Sequence, residues 1–147
     1  MTQANIELLF KDLCARSPYG VKVKCDDGYI FTFDKTHMGI GALYTDFYGQ
    51  PLDVPKIILS GCFYGNDIKP YLFPLSSMTE EQCEEFRMVS GLDVDLDSIR
   101  QSKVSLIGDI AIDCLIDAID WLNKNHFDYR DLIPMGLAID ATNLGIY

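Results

Sequence analysis

The chain has 147 residues, about the size of one average domain, and 48% of them are hydrophobic, which is enough for a core without a structural metal or disulfides. Its formal net charge of −10 argues against direct binding to the nucleic-acid backbone, which attracts Lys and Arg. No stretch approaches the roughly 18 uninterrupted apolar residues of a membrane helix, and the first residues lack the basic region of a signal peptide. We therefore expect a single-domain, cytoplasmic protein with no membrane and no nucleic-acid partner.

The cysteine pattern is typical of buried thiols rather than of a disulfide framework or a zinc ribbon. The cysteines are odd in number and form no CxxC pair: Cys14, Cys25, Cys62, Cys83 and Cys114. In a reducing compartment such residues stay reduced and pack as small apolar side chains. The sequence therefore predicts reduced cysteines, no catalytic thiol, no metal and no cofactor.

The chain begins with a predicted helix and a predicted hairpin. The helix covers 4–15 and ends before Pro18, because the residue before proline avoids helical geometry; its apolar stripe is Ile6, Leu9, Phe10 and Leu13. The alternating runs VKVKC and YIFTF follow, joined by a turn in which Gly28 can take a positive φ. A helix covering the hairpin is the expected start of the fold.

More strands are predicted in the middle of the chain. Runs rich in β-branched and aromatic residues indicate a third strand near 42–48 and a fourth within 56–65. Pro70 and Pro74 then argue against a central strand, because proline cannot donate to a ladder, and predict an extended edge segment. The alternating stretch at 92–107 predicts further strand, and its DxDxD run lacks the rest of a calcium loop.

Two helices are predicted in the second half. Thr79 and Gln82 form a capping box at the start of a helix over 79–90, which Gly91 ends. A longer helix over 110–126 carries the apolar stripe Ile112, Leu115, Ile119 and Leu122. Strands come early and the longest helix comes late, so the expected fold is an α+β domain in which a mainly antiparallel sheet packs against about three helices.

Acidic residues are concentrated in the second half. Residues 1–74 carry seven Lys or Arg and eight Asp or Glu, whereas residues 75–147 carry five and fourteen, a net charge of −1 against −9. Two groups of carboxylates recur at helical spacing on the two predicted helices: Glu80, Glu81, Glu84 and Glu85, and Asp113, Asp117 and Asp120. Such a field steers association with cationic surfaces, so we predict that these residues bind a basic surface on another protein.

Catalytic candidates are few. His37 or His126 could pair with Cys62 or with an aspartate as a base, which keeps a small hydrolase or transferase as the alternative to a non-enzymatic interaction protein. A structural role for His126 at the end of the long helix is favoured. In the HFDYR segment that it opens, Phe127 and Tyr129 are expected to pack on the core while Asp128 and Arg130 cap the next turn.

Two segments carry a resemblance to a known group of proteins. IKPYLFPLSSMTEEQ at 68–82 and AIDWLNKNHFDYRDLIPMGLAID at 118–140 resemble the KPYLRPLSSMTEEE and NxHHFDYRGLIxKGLAL motifs of small uncharacterised proteins from gut Bacteroidetes genomes, their phages and mobile elements. The chain departs from the group at Phe73, where arginine is usual, and at Asp131, where glycine is usual. The resemblance implies a phage or mobile-element origin and no catalytic residues. For a protein of that origin, the basic surface that the acidic second half is predicted to bind would be on a host protein.

Overall fold

The computed structural model describes residues 2–25, 28–34, 68–91 and 112–147. Its elements are, in chain order, α1 (Gln3–Arg16), β1 (Val21–Cys25), β2 (Ile30–Phe33), β3 (Ile68–Pro74), α2 (Glu80–Ser90), α3 (Ile112–Lys124), β4 (Phe127–Asp128) and β5 (Ile139–Asp140). Within these ranges the strands form a mixed sheet in the order β2-β1-β3-β4, and β5 also pairs with β3. The predicted α+β class is confirmed, while the strands predicted near 42–48, 56–65 and 92–107 lie outside the described residues.

The chain divides into two compact units, which are described separately. The first unit is Met1–Tyr71 with Ile146–Tyr147, and the second unit is Leu72–Gly145. The first unit contains α1, the hairpin and the start of β3, and the second unit contains the end of β3 and the two later helices. No helix in the described ranges has the length and apolar content needed to cross a membrane.

The inner face of α1 differs from the predicted stripe. Its fully buried side chains are at the i, i+3, i+4, i+7 spacing of one helix face: Leu9, Asp12, Leu13 and Arg16. Ile6 and Phe10, which the sequence predicts for that face, are only half-buried. Two charged residues therefore occupy inner positions that the prediction gave to apolar side chains.

Asp12 and Arg16 tolerate this burial because they bind each other. Arg16 Nε donates to Asp12 Oδ2 at 2.7 Å and Arg16 Nη2 donates to Asp12 Oδ1 at 3.0 Å, a bidentate pair one helical turn apart. Both side chains have zero exposed surface. Desolvation of two charges is costly, so this geometry offsets a penalty rather than adding net stability.

The hairpin forms as predicted. β1 and β2 are antiparallel with Val21 opposite Phe33 and Lys24 opposite Ile30. The turn closes where Cys25 N–H donates to Tyr29 O at 2.9 Å, and Gly28 has a φ of +87°. Only glycine adopts that φ at no steric cost, so the turn residue that the sequence indicates is the one the backbone requires.

β3 corrects the prediction of an edge segment, because it pairs with β1 on one side and with β4 and β5 elsewhere along its length. Pro70 lies opposite Val23 in the antiparallel ladder with β1. Cys25 N–H donates toward β2, so by alternation Val23 N–H also points to β2 and the Val23–Pro70 pair needs no hydrogen bond. The missing N–H of Pro70 is therefore not required by β1, and the proline is compatible with a paired strand.

The second unit is built on an aromatic core between α2, α3 and β4. Trp121 stacks on Phe127 with ring centroids 5.7 Å apart, and the tilted ring of Phe86 lies 5.5 Å from Trp121. Met78, Cys83, Ala118, Leu122 and Tyr129 complete the buried cluster. Aromatic pairs of this kind add about 0.5 to 1.5 kcal/mol beyond the area that they bury.

The inner face of α3 is close to the predicted stripe. Leu122 is buried together with Ala118 and Trp121, while Leu115 and Ile119 are half-buried against the same core. The side chain of Ile112 lies outside the described part of the chain. The face toward the core is thus centred on Ala118, which lies between Trp121 and Leu122 around the helix, and it is rotated from the predicted stripe toward Trp121.

Candidate binding surface

A capping box fixes the residue at which α2 begins, and therefore places Glu80 and Glu81 in its first turn. Thr79 Oγ1 accepts from Gln82 N at 3.2 Å, and Gln82 Oε1 accepts from Thr79 N at 3.0 Å, so the predicted capping box is present. Glu80 and Glu81 occupy the first turn, where the positive end of the helix dipole favours carboxylates. At the other end, Gly91 takes a φ of +68° and ends the helix as predicted.

The four glutamates of α2 lie on its solvent face. Glu80, Glu81, Glu84 and Glu85 are all exposed, whereas Cys83 and Phe86 are buried on the opposite side. Arg87 forms an ion pair with Glu84 across the surface of the helix and so offsets part of the charge. Met88 follows one turn after Glu84 and is 85% exposed, which puts an apolar side chain on the acidic face.

α3 repeats this arrangement. Asp117 and Asp120 are exposed, and Asp113 lies in the helix with its side chain outside the described part of the chain. Lys124 is exposed one turn after Asp120, and Ile116 is 75% exposed one turn before it. The acidic face of α3 therefore carries both a basic and an apolar neighbour.

α2 and α3 pack as an antiparallel pair. Phe86 contacts Trp121, and a Cβ atom built on Gly91 would lie 3.6 Å from Cys114 Sγ, so a later residue of α2 meets an earlier residue of α3. Because each helix rises about 1.5 Å per residue, Glu85 and Asp120 lie within about one turn of each other along the pair. The six described carboxylates of the two helices, Glu80, Glu81, Glu84, Glu85, Asp117 and Asp120, are called the acidic helix surface below.

The HFDYR segment has the structural role predicted for it. Phe127 and Tyr129 are in the core cluster, and the buried carboxylate of Asp128 accepts from Leu132 N at 2.9 Å and from Ile133 N at 2.8 Å. Arg130 Nη2 donates to Tyr129 Oη at 3.0 Å. His126 takes a left-handed φ of +59° at the end of α3, where its main-chain N–H donates to Asn123 O.

Of the histidines and the cysteine named as catalytic candidates, the structure describes His126. His37 and Cys62 lie outside the described residues, and His126 is placed by its main chain as the residue that ends a helix. Cys14, Cys25, Cys83 and Cys114 are thiols, and burial raises the pKa of Cys14, the opposite of what activates a nucleophile. Among the described residues no group of His, Cys, Asp or Glu is arranged to hold a metal ion.

Two features of the first unit were missed from the sequence. One is the buried Asp12–Arg16 pair, for which the i, i+4 spacing on the face of Leu9 and Leu13 is a visible signal. The other is Tyr147, whose hydroxyl bonds to the main chain of Lys22 and Tyr71. No local pattern indicates that contact, because its partners are far away in sequence.

Comparison with known proteins adds no assignment: no family model matches the chain, and no curated protein or solved structure is significantly similar to it.

Proposed function

We propose that this protein is a non-enzymatic interaction protein that binds a basic surface of a partner protein through the acidic helix surface. The observation that carries the proposal is that six carboxylates on two helices packed against each other are all exposed. An aromatic core holds the two helices together, so the charges are presented on a fixed scaffold. A field of one sign on such a scaffold accelerates encounter with a surface of the opposite sign.

The exposed apolar side chains favour a protein as the partner. Met88 lies in the acidic face of α2, and Ile116 adjoins Asp117 on α3. A small cation or a polyamine gains little from such side chains, whereas protein interfaces combine an apolar centre with a polar rim. The similarity of 68–82 and 118–140 to proteins of phages and mobile elements supports a host protein as that partner.

The test is a pull-down from host lysate with the full chain at roughly 0.1 M and 1 M salt, over which the Debye length falls from about 10 Å to about 3 Å. Two charge variants are compared with wild type. The first variant changes Asp113, Asp117 and Asp120 together to Asn. The second variant changes Glu84 and Glu85 to Gln and keeps Glu80 and Glu81, which stabilise the start of α2. Capture should fall with salt and in both variants, while the substitutions at the exposed Asp117, Asp120, Glu84 and Glu85 should each leave the free energy of unfolding within about 0.5 kcal/mol of wild type.

A pair of lysine variants provides the matched control. Lys124→Gln removes a positive charge from the face of α3, whereas Lys24→Gln removes one from an exposed position on β1 in the first unit. The two variants have the same net charge, so only the position of the charge differs. Lys124→Gln should strengthen capture and Lys24→Gln should leave it unchanged. A captured partner that is indifferent to salt and to the changes on both helices would overturn the proposal.

A further inference from the structure

The main-chain N–H groups of β1 point alternately to β2 and to β3, the two strands on either side of it. Cys25 N–H donates to Tyr29 O on the side of β2, so by alternation the N–H groups of Lys22 and Lys24 point to the side of β3. Lys24 lies opposite Lys69 in the register. Two residues further along, the same register brings Lys22 opposite Tyr71.

At that position a side chain takes the place of the direct hydrogen bond. Lys22 N–H donates to Tyr147 Oη at 3.0 Å, and Tyr147 Oη donates to Tyr71 O at 2.8 Å. One hydroxyl group therefore satisfies the donor of β1 and the acceptor of β3 at once. It occupies the place that a direct bond between the two strands would fill in a regular ladder.

The surroundings make this bridge both specific and easy to remove. Burial raises the pKa of Tyr147 to about 12, with smaller opposing effects of Arg16 and Asp12, so the hydroxyl keeps its donor proton well into the alkaline range. The residue as a whole is nevertheless 46% exposed. Withdrawing it uncovers much less apolar surface than withdrawing a core residue would.

We propose that Tyr147 is a releasable latch of the first unit, whose hydroxyl closes the end of the β1–β3 ladder and which opens while the rest of the ladder stays paired. Opening uncovers the Lys22 N–H and the Tyr71 carbonyl together, because both bind the same oxygen. All the groups of the latch belong to the first unit, and none of them is part of the acidic helix surface.

Residue-resolved amide hydrogen exchange of the full chain tests whether the latch opens on its own. Lys22 and Lys24 are compared, because both N–H groups point toward β3 and only that of Lys22 binds Tyr147. In wild type, Lys22 should exchange about tenfold faster or more than Lys24, with a rate that low denaturant does not change, as local opening requires. Equal protection of Lys22 and Lys24 would overturn the latch, because the two positions would then open as one cooperative unit.

The variant Tyr147→Phe removes the hydroxyl and keeps the ring. It should accelerate exchange at Lys22 by about tenfold or more, the loss expected for one hydrogen bond, and leave Lys24 within about twofold of wild type. Tyr129→Phe is the matched control, because it deletes a hydroxyl that donates to Asn123 Oδ1 in the second unit. It should leave Lys22 unchanged. An unchanged Lys22 in Tyr147→Phe, or equal acceleration at Lys22 and Lys24, would contradict the proposal.

Discussion

The first unit buries a pair of opposite charges in its interior, whereas the second unit carries a group of carboxylates at its surface. In the first unit, Asp12 and Arg16 are completely buried and form a bidentate ion pair. In the second unit, the six carboxylates of the acidic helix surface face solvent, and the helices that carry them pack on an aromatic core. The Asp12–Arg16 pair is thus part of the interior of the first unit, while the acidic helix surface of the second unit is exposed to solvent.

The comparison shows why net charge by itself is a poor guide to a binding surface. The half that counts as −1 contains the charged pair with the largest structural consequence, since a buried charge without its partner is strongly destabilising. In the half that counts as −9, the six carboxylates of the acidic helix surface are exposed, and charges in such positions contribute little to stability. Substitutions in the buried pair should therefore change the free energy of unfolding, whereas substitutions in the acidic helix surface should change binding with little effect on stability.

The largest effect is expected from breaking the buried pair in the first unit. Arg16→Met leaves Asp12 as an uncompensated buried charge and should lower the free energy of unfolding by about 3 to 5 kcal/mol. The double change Asp12→Leu with Arg16→Met removes both charges and should recover most of that loss. Chemical denaturation gives both values. A single variant within error of wild type would show that the pair is not buried in solution.

The next largest effect tests the core of the second unit. Leu122 is 3% exposed, so Leu122→Ala should lower the free energy of unfolding by about 2 to 5 kcal/mol. Ile119 is half-buried against the same cluster, and Ile119→Ala should therefore cost less. Denaturation of the two variants side by side provides the measurement. The reverse order would mean that the inner face of α3 is centred on the predicted stripe instead of on Ala118.

A smaller effect distinguishes buried from exposed carboxylates within the second unit. Asp128→Asn weakens two hydrogen bonds from main-chain N–H groups to a buried carboxylate and should cost about 1.5 to 3 kcal/mol. Asp140→Asn is the control, because exposed Asp140 accepts from Thr142 N in a local turn and should cost less than about 1 kcal/mol. Equal losses at the two positions, measured by denaturation, would contradict the burial of Asp128.

The smallest effect is a pH dependence in the first unit. Burial raises the pKa of Tyr147 to about 12, above the roughly 10 of an unfolded tyrosine, with a further contribution from Asp12 that Lys22 N–H and Arg16 oppose. The folded state then holds this proton more tightly, so its contribution to stability is complete below about pH 10 and is lost as the pH rises toward 12.

The wild type and Tyr147→Phe should therefore differ in unfolding free energy by a constant amount up to about pH 10, and the difference should narrow above it. The other titrating groups are common to both proteins and cancel in the comparison. Denaturation at several pH values between 8 and about 11.5 measures the difference. A difference that stays constant through this range would contradict the raised pKa.

The features that the sequence predicted well depend on neighbouring residues. The capping box at Thr79, the helix end at Gly91 and the turn at Gly28 each use contacts within a few residues, and the structure confirms all three. Helical periodicity was also enough to predict that Glu80, Glu81, Glu84 and Glu85 share an exposed face. The exposure of the candidate surface was therefore accessible from the sequence.

The failures involve contacts between distant segments. Pro70 has no main-chain N–H, so it fits a paired strand only where the neighbouring strand needs no hydrogen bond from it. The register of β3 with β1 decides this. The role of Tyr147 depends on two main-chain groups that no local pattern connects with it. The spacing of Asp12 and Arg16 was visible, but their burial is decided by tertiary packing.

The central claim is that the acidic helix surface, and not the charge of the whole chain, forms the binding surface. The most direct measurement is an NMR titration of the full chain with a short lysine-rich peptide as the probe. At roughly 0.1 M salt we expect the amide shifts to concentrate at 80–88 and 116–124, and to disappear near 1 M as the Debye length falls from about 10 Å to about 3 Å. Lys124→Gln should enlarge them, and Lys24→Gln should not. Shifts of equal size around Glu7, Asp34 and Asp140, or none on α2 and α3, would contradict the claim.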